Sequence, residues 1–148
     1  MAWLRQARES QLAQYEMANM LKKKGERLSS LIALLTSVIG AGAFLSVAVE
    51  LIPIWSKILA GMLSVVAAVL ASLQTLHDYS GQGDKHRVFG ARFGAVRREL
   101  EEVYALRLDG IDPQLVDKIR QERDVLAREA PNVPPEVYQR IQEQLSGG

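Results

Sequence analysis

Two apolar stretches without a single charged residue, Leu28 to Val49 and Ile58 to Leu76, limit what this chain can become. As helices rising about 1.5 Å per residue they would extend roughly 33 Å and 28 Å, close to the thickness of a bilayer's hydrocarbon layer. A soluble helix buries one stripe and turns a charged face to water, and neither stretch has such a face. The rest of a 148-residue chain is too short to wrap both on every side. A membrane hairpin follows. A cleaved signal peptide does not account for the first stretch, which begins well inside the chain and exceeds the usual length of a signal's apolar region.

The formal net charge of +1 conceals an uneven distribution. Lys22, Lys23, Lys24 and Arg27 precede the first stretch, and Lys85, Arg87, Arg92, Arg97 and Arg98 follow the second, whereas the segment between them holds only Lys57. The positive-inside bias therefore predicts both termini in the cytoplasm and the short turn around Pro53 on the far side. Trp55 and Tyr79 then fall near the two interfaces, where amphipathic rings are favoured. With so few residues between the spans, any partner binding is expected in the cytoplasm or in the membrane.

The expected architecture is an all-α membrane protein in three parts. Residues 1–27 form a cytoplasmic amphipathic N-terminal helix, with Trp3, Leu4, Leu12, Tyr15, Met20 and Leu21 spaced among charges. Residues 28–77 form a two-transmembrane helical hairpin, and residues 78–148 a cytoplasmic helical region. In that last part Ser80 to Asp84 reads as a turn, with a helix starting near Lys85. Along the helix Phe89, Phe93, Val96, Leu100 and Val103 recur at steps of four and three, a seam for packing on another helix. His86 lies on the same seam as a structural or interfacial histidine, and Gly90 with Gly94 marks a close helix crossing. Asp109-Gly110 reads as a further turn. Asp112-Pro113 starts the next helix, with Leu115, Ile119 and Leu126 as its apolar face. Pro131, Pro134 and Pro135 then separate a last short helix carrying Val137, Ile141 and Leu145.

Several chemistries are excluded or unsupported. Cysteine is absent, which removes disulfides, thiolate metal sites and cysteine nucleophiles. The only histidines, His77 and His86, cannot build a zinc site alone. No nucleophile, base and orienting group share a pattern, so neither enzymatic activity nor a metal or cofactor is expected. There is no glycine loop to cradle phosphates, and no direct nucleic-acid binding is expected. No ionisable residue lies in the middle of a span, which argues against an ion-coupled transporter.

Each span carries one thin face. Ser29, Ala33, Thr36, Gly40, Ala43, Val47 and Glu50 follow alternating steps of four and three, and Lys57, Gly61, Ser64, Ala68, Ala71, Thr75 and Asp78 repeat the arrangement. Small residues let two transmembrane backbones approach closely, so these faces can form the hairpin's own seam, with Glu50 near Lys57 and Gly40 near Ala68. Alternatively one face lines an aqueous path in an oligomer, with Glu50 and Lys57 as charges at its outer mouth.

The basic run Lys22-Lys23-Lys24-Gly25-Glu26-Arg27 ahead of two spans, Leu73-Gln74 at the inner edge, Lys85-His86-Arg87, Phe93, and Arg97-Arg98-Glu99-Leu100 together resemble the SLATT domains. These are two-transmembrane effector domains found beside SMODS nucleotidyltransferases and SLOG sensors. Phe93 stands where that family often has tyrosine. The resemblance implies a homo-oligomeric, pore-forming effector of antiphage defence in the bacterial inner membrane, with the lipid bilayer as its medium. It also implies a partner that supplies the trigger: a nucleotidyltransferase, a SLOG-type sensor or a reverse transcriptase. The competing reading is a non-conducting anchor that presents its cytoplasmic helices to a partner protein.

Overall fold

The first 48 residues contain no proline and are mostly helix formers, first amphipathic and then apolar, and they give one long helix. In a computed structural model that describes residues 2–48, 53–105 and 113–146, with the side chains of 44–48 left out, α1 spans Ala2–Ala48. The expected N-terminal amphipathic helix and first span are thus one element, because no proline precedes Pro53 and Gly25 alone interrupts the lysine run. Proline lacks a donor and suits a helix start. Accordingly α2, Ile54–His77, begins directly after Pro53, whose carbonyl accepts from Ser56 N at 3.1 Å and from Ser56 Oγ at 2.6 Å.

α2 ends at Asp78, which adopts a left-handed conformation (φ 34°, ψ 56°). Aspartate is one of the few side chains besides glycine that visits this region readily. That one residue makes the turn, and α3 runs from Tyr79 to Ala105. The turn expected over Ser80 to Asp84 is instead helical. Each glycine costs a helix only about 1 kcal/mol, and Gly83 is buried in α3, where lack of a side chain allows close packing. α4 spans Pro113–Glu129 and α5 spans Pro135–Ser146, separated at the proline-rich segment. The turn expected at Asp109-Gly110 and the cap expected at Asp112 lie outside the described residues. All elements described are helices.

The chain divides into two compact units: Lys22–Ser80, and Met1–Leu21 with Gly81–Gly148. The first part of α1 therefore belongs with α3, α4 and α5. In that unit Ala7, Phe93, Val96, Leu100, Ile119 and Leu126 form a buried cluster, flanked by Trp3, Leu4, Phe89, Val103 and Ala130. A second cluster joins Ala13 to Val137 and Ile141. Residues Phe89 to Val103 thus turn one side of α3 onto α1 and α4, as their spacing requires. Gly90 and Gly94 lie where α1 crosses: an added Cβ at Gly90 would meet the Tyr15 ring at 3.2 Å, and at Gly94 the Gln11 amide at 2.6 Å.

The other unit is the hairpin of the second part of α1 and α2. Its surface carries large apolar side chains, among them Leu34 (64% exposed), Val65 (65%) and Leu76 (78%). A contiguous apolar surface of this kind marks contact with lipid or protein rather than water.

Candidate functional site

The residues that the two hairpin helices turn toward each other are read from their partial burial. Along α1 these are Gly25, Leu28, Ile32, Leu35 and Ile39, and along α2 Ser56, Ala60, Leu63, Leu70 and Gln74, with Ala67 buried at 8% exposure. Both sets step by three and four, so each lies along one face of its helix. At the charged end Gln74 Nε2 donates to Ser29 Oγ at 2.7 Å, and Gly25 lets the Tyr79 side chain approach, with its Cβ 3.2 Å from where a glycine Cβ would stand.

The small-residue faces are not this seam. Thr36, Gly40 and Ala43 each follow a seam position of α1 by one residue or continue its register, and Gly61, Ser64, Ala68, Ala71 and Thr75 each follow one of α2. They are turned by about 100° around their helices. All eight are exposed, and an added Cβ at Gly40 or Gly61 would meet nothing within 4 Å. The expectation that Gly40 packs near Ala68 is therefore corrected. The observed seam instead sets a stripe of leucines and isoleucines on α1 against a stripe on α2 that mixes alanines with leucines. Lys57 is exposed; Glu50 and the side chain of Val47 lie outside the described residues.

Hydroxyls along these helices are satisfied locally. Thr36, Ser37, Ser64, Ser72 and Thr75 donate to the carbonyls of Ile32, Ala33, Ala60, Ala68 and Ala71 at 2.7–3.1 Å. Such back-bonding lets a hydroxyl sit in lipid without an orphaned donor.

At the charged end of the hairpin an open pocket of about 390 Å³ is lined by Lys24, Arg27, Leu28, Leu31, Leu70, Leu73, His77 and Tyr79. His77 stacks on Tyr79 with centroids 5.5 Å apart, and Lys24 Nζ lies 5.3 Å from the Tyr79 ring centre. In the other unit a groove of about 480 Å³ runs between α3 and α4, bordered by Arg92, Val96, Gln121, Glu122 and Leu126.

That unit also holds a polar contact that sequence reasoning missed in part. His86 lies on the Phe93 seam as its spacing predicts, but its partner Gln14 is 1% exposed on the N-terminal helix, where the sequence predicts no buried polar side chain. Gln14 Nε2 donates to the Pro131 carbonyl at 3.1 Å, which leaves Oε1 to accept from His86 Nδ1 at 2.6 Å. The imidazole is thus held as the neutral tautomer protonated at Nδ1, and burial pushes its pKa below the ordinary value of 6.5. One signal was available: Gln14 stands seven residues from both Ala7 and Leu21, each buried.

Among the described residues, two helices are long and apolar enough to cross a membrane. A family described as SMODS and SLOG-associating 2TM effector domain family 4 matches residues 10–142. The chain belongs to this family. As a SLATT protein it is a membrane protein carrying a two-transmembrane effector domain of defence systems, of the kind that associates with SMODS and SLOG proteins. No curated protein and no solved structure matches this SLATT chain.

Proposed function

We propose that this SLATT protein is a pore-forming effector that assembles through the thin faces of its hairpin and permeabilises the bacterial inner membrane when a partner or second messenger triggers it. The observation that carries the reading is the exposure of both small-residue faces, with open space over Gly40 and Gly61, in a domain of the two-transmembrane effector class. Small faces are how transmembrane helices associate, and a hairpin that leaves them unused within itself has them available for other copies. Two helices alone enclose no water path, so conduction requires an oligomer. The output is physical rather than catalytic.

The basic residues at the ends of the spans support placing both termini in the cytoplasm. The family description supports a nucleotidyltransferase or a SLOG-type sensor as the source of the trigger, and a reverse transcriptase is the third partner class consistent with the resemblance. The test is membrane potential in cells expressing the chain with its trigger. Depolarisation by the wild type and its loss in Gly40→Leu and Gly61→Leu are expected. An unchanged potential on triggering would refute conduction, and activity retained after replacing the hairpin by an unrelated two-span anchor would establish the anchor reading instead.

A further inference from the structure

We infer that the pocket at the charged end of the hairpin is a binding site for an anionic phospholipid, its phosphate held by Lys24 and Arg27 and its acyl chains laid over leucines of both helices. The inference rests on the hairpin lying in a bilayer and is independent of conduction.

The pocket combines two chemistries that coincide in one ligand class. Its floor, Leu28, Leu31, Leu70 and Leu73, belongs to the spans, and Leu31 and Leu73 are 46% and 42% exposed. Its rim carries two full positive charges. Among the described residues neither Lys24 nor Arg27 has a carboxylate partner, whereas the neighbouring Lys22 faces Glu26 at 3.9 Å. No acid lines the pocket, and Asp78 lies outside the lining. An arginine guanidinium can chelate two phosphate oxygens, and an ammonium beside it adds a point charge. Tyr79 keeps Lys24 at the hairpin end through a cation–π contact and is itself stacked on His77, so the rim is partly ordered before a headgroup arrives. A zwitterionic lipid offers the same phosphate and chains but adds a cation that meets Lys24 and Arg27 unfavourably. A soluble phosphate has no use for the leucines.

The test is native mass spectrometry of the full-length chain released from detergent containing equal amounts of phosphatidylglycerol and phosphatidylcholine. The wild type is expected to retain phosphatidylglycerol preferentially. Each of Lys24→Gln and Arg27→Gln should lower that preference roughly five-fold, and the double variant should abolish it. Lys22→Gln/Lys23→Gln removes the same charge from adjacent positions outside the pocket and should leave the preference in place. A double pocket variant that still selects phosphatidylglycerol overturns the site, and so does equal loss in the Lys22/Lys23 variant, which would mean a diffuse field. Displacement of the bound lipid by millimolar inorganic phosphate overturns the lipid assignment in favour of a free anion. Failure of the bilayer placement itself reads differently: the chain would then stay in solution after ultracentrifugation without detergent.

Discussion

Gln14 and His86 show how much can hang on one buried amide. The Gln14 side chain satisfies a backbone carbonyl on one side and an imidazole on the other, both out of water. Gln14→Leu keeps the volume and strands both partners, each costing about 1–3 kcal/mol. A fall in thermal stability of that size, read by circular dichroism, is expected. The histidine adds a pH dependence whose sign is set by burial. Its pKa is lower folded than unfolded, so between the two values the unfolded chain binds the extra proton. The stability that neutral His86 confers is complete above pH 6.5 and declines as pH falls through that value towards its folded pKa. Melting profiles across that range should show the decline in the wild type and a shallower one in His86→Gln. At Gly90 the Tyr15 ring leaves no room for a branched side chain. Gly90→Val is expected to destabilise by about 1–3 kcal/mol through overpacking.

At the scale of elements, the spans were legible because absence of charge over two bilayer-length runs admits few alternatives. The stretch of α3 from Phe89 to Val103 was legible for a related reason, since five apolar side chains at one period leave little choice of face. Which stripe of each span forms the hairpin seam was not legible. The thin faces, which the sequence leaves open as seam or lining, and the observed seam share the same period and differ by one position, and periodicity is blind to a rotation of about 100°. Burial shows it: Leu28, Ile32, Leu35 and Ile39 of α1 are partly covered, as is Ala60 of α2, and Ala67 is buried. The start of α3 was misjudged because glycines between Ser80 and Asp84 signal a turn only when nothing compensates their cost, and here the helix packs Gly83 inside. The native chain contains no cysteine, so single introduced thiols report on these faces cleanly. Oxidation in membranes should give disulfide-linked dimers from Gly61→Cys, on the open face, and far fewer from Ala67→Cys, inside the seam. Equal yields would remove the open face from consideration as the contact between copies.

For the whole molecule, family membership and the two spans were accessible from sequence, whereas grouping the first 21 residues with α3 to α5 was not. That grouping depends on pairs such as Ala7 with Phe93 and Ala13 with Val137, whose partners lie far along the chain and leave no local signature. The back-bonded hydroxyls have a consequence for the path that the proposed oligomer encloses. Each of Thr36, Ser64 and Thr75 donates its hydroxyl hydrogen to a carbonyl, so what it presents outward is oxygen lone pairs. Inward of the outer-mouth charges, oxygens of that kind solvate potassium or sodium and offer chloride no donor. Currents from reconstituted protein under a potassium chloride gradient should therefore reverse close to the potassium equilibrium potential.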